Sequence, residues 1–203
     1  MNVVLSYEGD SKEYEFFDDA IKLLKNPIGV SVEIGVRLGM GSSCIMNAYR
    51  KYHPNTKLKH LGIDPYGNIL YRTADSDLGG KLDYTNNMKQ IAVSKLIQGY
   101  PEFNFVNLED SEFFKRFADG YPIYDEHKIL LTQYETVHFD GPHDTESVMK
   151  EVEFFIARKP KQCLYIFDDI NTHDIDKIGR YLISNNFKQF KKGERKAVYT
   201  YES

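Results

Sequence analysis

Short apolar runs alternate along the chain with longer segments in which apolar residues recur at helical spacing. The apolar runs predict strands at residues 30–34, 58–63, 103–107, 136–139 and 163–167. The helical spacing predicts helices at residues 14–25, 42–52, 84–98, 111–117, 148–157 and 174–184. Strands that alternate with helices predict an α/β fold with a mostly parallel sheet and helices on both faces.

The C-terminal part departs from this alternation. Residues 187–190 and 197–201 are two strand-like runs around Lys192-Gly193-Glu194, which predicts an antiparallel hairpin at one edge of the sheet. With 203 residues and no internal repeat or linker, we expect a single domain over 1–203 that begins with a helical region at 1–27. The polar segment 65–83 predicts a lid loop, since loops of this length in compact domains are usually functional or disordered.

Composition excludes several classes of partner. A net charge of −4 argues against a nucleic acid held by bulk electrostatics. One basic cluster, which we expect to be solvated on the hairpin, consists of Lys188, Lys191, Lys192, Arg195 and Lys196. The chain has no apolar run of membrane-spanning length, and its first residues turn acidic too soon for a secretory signal. We expect a cytoplasmic protein without a membrane partner, and the sequence leaves a homo-oligomer open.

The segment after the first predicted strand is the most informative motif. In VSVEIGVRLGMGSS, Glu33 is followed by Gly35, Gly39 and Gly41, and two serines then open a helix. Glycines let the backbone approach a ligand, and a helix N-terminus favours anions. A plain turn between strand and helix also needs glycine, so both interpretations stand. The spacing matches neither G-x-G-x-x-G nor a P-loop, which argues against nicotinamide and nucleoside-triphosphate binding.

A carboxylate follows the second strand in HLGIDPYG. Ligands of open parallel sheets bind outside the carboxyl ends of the strands, where Asp64 would lie. Its two oxygens suit the two hydroxyls of a ribose. The alternative is a helix-capping or turn acid before Pro65.

Three further carboxylates end strands four and five: Asp140, Asp168 and Asp169. If these strands are neighbours, the three groups converge, and a pKa among them rises unless a cation lies between them. Hard oxygen ligands suit Mg²⁺, Ca²⁺ or Mn²⁺. The alternative is that one aspartate caps a helix and another is solvated.

Histidines supply the candidate base. His143 lies three residues after Asp140 and could take a proton from a substrate hydroxyl near neutral pH, although a simple turn histidine is the alternative. His173 is a second candidate base or ligand. We expect His138 to be packed within a strand and His60 to lie at the surface or a strand end.

Together these segments resemble the class I S-adenosylmethionine-dependent methyltransferases. VEIGVRLGMGSS is similar to the first motif of that family, GIDPYG to its second-strand acid, and LEDSEFF to the segment along the adenine. FDGPHDTESVMKEVEFF and LYIFDDI resemble the metal-dependent O-methyltransferases, especially the subgroup with the macrocin-type sugar enzymes. The resemblance covers residues 30–170.

The resemblance implies a single-domain Rossmann-like methyltransferase fold with a seven-stranded sheet. It implies that S-adenosylmethionine contacts Glu33, Gly35, Arg37, Gly39, Ser42, Ser43, Asp64, Asp110 and Asp140. It further implies that Asp140, Asp168 and Asp169 hold Mg²⁺ or another divalent cation. The catalytic residues would be His143, as the base, and Asp140, and the acceptor would be a hydroxyl on a small molecule or sugar.

Two other functions stay open from the residues. A Rossmann-type oxidoreductase or nucleotide-sugar enzyme is disfavoured by the missing G-x-G-x-x-G. A non-catalytic cofactor-binding domain of the same fold is disfavoured because it would not need the aspartates and His143 together.

Overall fold

The computed structural model describes residues 7, 9, 11–70, 72–76 and 84–203. Its helices and strands are α1 (Glu15–Ile21), β1 (Val30–Ile34), α2 (Met40–Tyr52), β2 (Lys59–Ile63), α3 (Asn86–Gly99), β3 (Phe103–Val106), α4 (Asp110–Arg116), β4 (Tyr121–Tyr124), β5 (Lys128–Leu131), β6 (Thr136–Phe139), α5 (Thr145–Ile156), β7 (Gln162–Phe167), α6 (Ile175–Ser184), β8 (Lys188–Lys192) and β9 (Ala197–Glu202).

Seven of the strands form one sheet in the order β3-β2-β1-β6-β7-β9-β8. Strand β1 pairs in parallel with β2 and β6, whereas β9 runs antiparallel to both β7 and β8. The predicted mostly parallel seven-stranded sheet with a C-terminal antiparallel hairpin is confirmed. The strand order reverses direction between β1 and β6, which is where ligands of such sheets bind.

Helices cover both faces of this sheet because its buried strands are apolar on both sides. In β7, Tyr165 packs in a core with Val152 of α5 and Ile178 of α6. The next residue, Ile166, points to the opposite core, which contains Phe17 of α1. This alternation follows the period of two along a strand, and it explains why β7 reads as a continuous apolar run.

Several helix boundaries differ from the sequence-based prediction. Helix α2 begins at Met40, two residues early, because Gly39 takes a left-handed φ of 87° at its N-cap. Helix α5 begins at Thr145 because the Asp144 side chain accepts the backbone N–H of Ser147. Helix α4 begins at Asp110, one residue before the predicted start.

The hairpin of β4 and β5 was missed. It forms a two-stranded sheet separate from the main one. Ile123 and Leu131 bury their side chains in the core shared with α5, whereas Tyr124 and Leu130 are exposed. A hairpin that is buried on one face only gives a weak apolar signal. Within the described ranges, no helix combines the length and apolar character needed to cross a bilayer.

Candidate functional site

A cavity of about 640 Å³ opens at the carboxyl ends of the parallel strands. Seven carboxylates line it: Asp64, Glu109, Asp110, Asp140, Asp144, Asp168 and Asp169. Four cationic side chains line it as well: Arg37, Arg72, Lys150 and Arg195. Acids therefore outnumber basic groups among the described lining residues, and this balance favours cationic ligands.

Gly35 lets the ends of β1 and β6 come together at the cavity. Its φ is 83°, and a Cβ at this position would collide with the backbone carbonyl of Asp140. Its own N–H donates to the carbonyl of Ile63 at 2.9 Å. A side chain here would separate the strands, so glycine is required by close backbone approach as well as by conformation.

Asp64 holds the glycine turn through backbone hydrogen bonds and also lines the cavity. Its Oδ2 accepts the backbone N–H groups of Val36 at 2.9 Å and Arg37 at 3.0 Å, and its Oδ1 accepts that of Tyr66 at 2.9 Å. Burial raises the pKa of Asp64 to about 6, against the opposing effect of these hydrogen bonds. A carboxylate oxygen has two lone pairs, so Asp64 retains capacity for a ligand hydroxyl.

Glu33 and Ser42 lie behind the turn rather than on the cavity wall. Ser42 donates to the Glu33 carboxylate, and His138 Nδ1 lies 2.8 Å from the other Glu33 oxygen. Neither Glu33 nor Ser42 lines the cavity, and the same holds for Gly39 and Ser43. Of the residues expected to touch a cofactor, the structure brings Gly35, Arg37, Asp64, Asp110 and Asp140 to the cavity.

His60 belongs to the same buried layer, so the expectation of a surface or strand-end position is wrong. It is fully buried between Ser31 Oγ at 2.8 Å and Ser42 Oγ at 2.9 Å. Burial and the neighbouring His138 lower the pKa of His60 to about 3, so it is neutral at physiological pH. This layer ties α2, which carries the turn, to the sheet.

Asp140, His143 and Asp169 converge in the cavity. One ligand atom from each lies within 4.8 Å of the others, and His143 Nε2 is 3.6 Å from Asp169 Oδ2. A second group with the same spacing, Glu33, His138 and Asp140, lies deeper. Burial and the charges of Asp168 and Glu33 raise the pKa of Asp140 well above its usual range. A cation among these groups would relieve that repulsion, so this donor set fits a divalent ion.

Asp168 is engaged differently from its neighbour. Its carboxylate pairs with the Lys196 ammonium and accepts the Ser11 hydroxyl at 2.7 Å. Although burial acts in the opposite direction, Lys196 holds the pKa of Asp168 below its usual value. The two adjacent aspartates thus differ in their partners: Asp168 pairs with a fully buried lysine, whereas Asp169 pairs with the partly exposed Arg195 through Oδ1 only.

Lys196 and Arg195 are site residues that the sequence analysis missed. Arg195 binds the Asp169 carboxylate, and Lys196 is fully buried rather than solvated as predicted. Glu13 fixes both by accepting their backbone N–H groups and that of Glu194 at 2.9–3.0 Å. The only signal was position, since Lys196 directly precedes the buried Ala197 of β9.

Part of the predicted lid lines the cavity. Tyr66, Leu70 and Arg72 contribute to its wall. Asp75 accepts the backbone N–H of Thr145 at 2.8 Å and its hydroxyl at 2.6 Å, which fastens this loop to the start of α5. Residue 71 and residues 77–83 of the predicted lid lie outside the described residues.

His173 lies outside the cavity wall. Burial and the nearby His143 lower the pKa of His173 to about 4, so it is neutral near pH 7. Its Nδ1 is 3.2 Å from the Thr172 hydroxyl. Of the two histidines considered as a base, only His143 is among the described residues that line the cavity.

Comparison with solved structures places the fold among methyltransferases. The O-methyltransferase NovP superimposes with a TM-score of 0.61 at 14% identity, over 94% of this chain and 79% of that one. An O-methyltransferase from Bacillus cereus in complex with SAH gives 0.59 at 10% identity, over 98% and 84%. A precorrin-6y C5,15-methyltransferase from Geobacter metallireducens GS-15 gives 0.57 at 9% identity, over 100% and 96%. At these identities the likeness concerns the fold.

Sequence comparison adds the family. No curated protein matches the chain at a significant level. A family model described as a methyltransferase domain matches residues 32–170, which include the end of β1 with its glycine turn and the aspartates after β6 and β7. The chain therefore belongs to the methyltransferase-domain family.

Proposed function

We propose that the protein transfers a methyl group from S-adenosylmethionine to a hydroxyl of a small molecule, with the help of a divalent cation. The observation that carries this proposal is one cavity faced by the Gly35 turn, by Asp64 and by the group of Asp140, His143 and Asp169. A cofactor end and a reaction end thus share one enclosed space, as group transfer requires.

The cofactor end is assigned to Gly35, Arg37, Asp64 and Asp110. Asp64 would accept a ribose hydroxyl with the Oδ1 lone pair that its three backbone hydrogen bonds leave available. Asp110 lies at the start of α4 on the same wall and would accept a hydrogen bond from the amino group of the adenine. The excess of carboxylates in the cavity favours a sulfonium cation. The SAH in the Bacillus cereus structure supports this choice of cofactor.

The reaction end is assigned to Asp140, Asp169 and His143. When bound, S-adenosylmethionine would supply an activated methyl group, and a divalent cation would lower the pKa of the acceptor hydroxyl. The two aspartates would hold the cation. Asp168, a predicted ligand, has no part in this proposal because Lys196 and the Ser11 hydroxyl bind its two oxygens. Arg195, in contrast, binds only Oδ1 of Asp169 and leaves Oδ2 facing His143.

His143 is assigned as the general base. It is 8% exposed at the cavity wall, and Asp169 Oδ2 is 3.6 Å from its Nε2, so this carboxylate can orient the ring. A neutral imidazole would take the proton of the acceptor hydroxyl as the oxygen attacks. The buried walls would exclude water, which favours transfer over side reactions.

The acceptor is proposed to be a hydroxyl-bearing small molecule such as a sugar. Tyr66, Tyr84 and Phe114 give the cavity aromatic surface on which a flat or ring-shaped molecule can pack. The O-methyltransferases NovP and that of Bacillus cereus support oxygen as the acceptor atom.

Calorimetry and turnover test the proposal in two steps. We expect the protein to bind S-adenosylmethionine and S-adenosylhomocysteine but not NAD. We expect isotope from labelled methyl groups to appear in members of a hydroxyl-compound library when Mg²⁺ is present. Binding of NAD alone would point to an oxidoreductase, and cofactor binding without any transfer would point to a non-catalytic domain.

A further inference from the structure

Glu151 is a buried carboxyl group without a hydrogen-bond donor. It lies on α5, its side chain is fully buried, and neither Oε1 nor Oε2 has a hydrogen-bond partner among the described residues. Burying an ionised carboxylate in this way costs far more than burying the neutral acid. Such an exception in a folded core calls for an explanation in terms of its neighbours.

The charged groups that act most strongly on Glu151 are acidic. Asp110 of α4 lies within hydrogen-bonding reach, and Asp144 at the start of α5 and Asp140 after β6 add negative charge. A Cβ on Gly141 would lie 3.6 Å from Glu151 Oε1, an ordinary contact distance, so the carboxyl group lies against the turn after β6. Burial, followed by Asp110, raises the pKa of Glu151 well above its usual value.

We propose that Glu151 is a protonated carboxylic acid that donates its O–H to the Asp110 carboxylate and so positions Asp110 to read the amino group of a 6-aminopurine. The proposal rests on the proposed function, because it concerns the adenine of that cofactor. Glu151 does not line the cavity, whereas Asp110 does. Glu151 is therefore a positioning residue that acts through Asp110.

Hydrogen-bond chemistry explains the selectivity that would result. An ionised carboxylate can only accept hydrogen bonds, and a protonated acid can donate one. With one Asp110 oxygen held by Glu151, the other oxygen accepts the N–H of a 6-amino group. A hypoxanthine base presents a carbonyl oxygen at that position, which would face the carboxylate without a proton between them and bind weakly.

Two variants separate donation from packing. Glu151→Gln keeps a donor towards Asp110, whereas Glu151→Met fills similar volume without one. By titration calorimetry with S-adenosylhomocysteine, we expect Glu151→Gln to stay within about threefold of wild type and Glu151→Met to lose about tenfold. In Glu151→Met, Asp110 is no longer held towards the 6-amino group. We therefore expect this variant also to have a smaller ratio of affinities for S-adenosylhomocysteine over S-inosylhomocysteine. Equal losses in both variants, or no loss in either, would overturn the proposal.

Infrared difference spectroscopy tests the proton without any cofactor. Wild type minus Glu151→Gln should show the carbonyl band of a protonated carboxylic acid at neutral pH. Finding only ionised-carboxylate bands would overturn the proposal even if Glu151→Met failed to fold. If the acid band is present but S-adenosylhomocysteine does not bind, Glu151 is protonated as proposed. The proposed cofactor, and with it the contact between Asp110 and the 6-amino group, would then be overturned.

Discussion

The Lys196 ammonium and the Asp168 carboxylate form an ion pair with 0% and 2% of their side chains exposed. The pair joins β9 to the end of β7, directly beside Asp169 of the candidate site. The Tyr14 ring lies 4.9 Å from the same ammonium. Both aspartates of the Asp-Asp sequence line the cavity, but a buried lysine neutralises Asp168, whereas Asp169 keeps Oδ2 towards His143.

Removing Lys196 should be strongly destabilising. Lys196→Met leaves Asp168 buried without its counter-charge, and we expect the free energy of unfolding to fall by about 3–5 kcal/mol. Urea denaturation measures this loss. Lys192→Met is the matched control, since its partner Asp176 is largely exposed and such pairs contribute little.

The double variant Asp168→Asn with Lys196→Met should recover much of that loss, because no uncompensated charge remains. A single Lys196→Met variant as stable as wild type would contradict the buried ion pair.

A divalent cation should raise the melting temperature through Asp140 and Asp169. Ligands that bind only the folded state stabilise it by mass action, so Mg²⁺ should shift the thermal transition upward. We expect Asp169→Asn to abolish most of this shift. Asp168→Asn should lower the starting stability yet keep the shift.

Two outcomes would contradict this assignment. If Asp168→Asn alone removed the shift, Asp168 would be a ligand as the sequence predicted. If Mg²⁺, Mn²⁺ and Ca²⁺ all failed to change melting or turnover, the cation would have no place in the reaction.

Cofactor affinity should fall as the pH decreases through about 6, the pKa of buried Asp64. Protonation removes the charge that strengthens its hydrogen bond to the ribose hydroxyl. Calorimetry between about pH 5 and pH 8, a range that includes the pKa of Asp64, measures the trend. Asp64→Ala should weaken binding by about 1.5–3 kcal/mol, and Asp64→Asn, which resembles the protonated group, should give weak binding without this pH dependence.

The stability of the folded protein should change with pH in the direction opposite to cofactor affinity. The folded state holds the Asp64 proton more tightly than the unfolded chain, because the pKa rises from 3.8 to about 6 on folding. This group therefore contributes a loss of stability as pH rises through that window. Asp64→Asn should remove that contribution, and an unchanged slope would mean that Asp64 is ionised throughout.

His143→Ala should reduce turnover by roughly 10²–10⁴-fold while cofactor affinity stays nearly intact. The reason is that its imidazole faces the acceptor end and not the Asp64 end of the cavity. Single-turnover rates with labelled cofactor, alongside calorimetry, separate the two effects. His173→Asn is the control, because His173 stays neutral near pH 7 and does not line the cavity. If His173→Asn lost more turnover than His143→Ala, His173 and not His143 would be the base.

The sequence determined the sheet and most of its ligand-binding edge. Runs such as Val30–Ile34 and Thr136–Phe139 were predicted at the bounds the structure has, because strands buried on both faces have a continuous apolar pattern. Parallel topology then forced Asp64, Asp140 and Asp169 to one edge. The positions of Gly35 and His143 at the same cavity follow from the turns after β1 and β6.

Tertiary structure alone decided which of these polar groups face the cavity. Glu33 and Asp64 both follow from motif positions, yet Glu33 turns under α2 and Asp64 turns to the cavity. Lys196 reaches Asp168 across 28 residues of sequence, and Glu151 reaches the Asp110 side chain from a different helix. Local patterns encode burial and periodicity, but the partner of a buried charge depends on side-chain packing between distant segments, which a single sequence does not display.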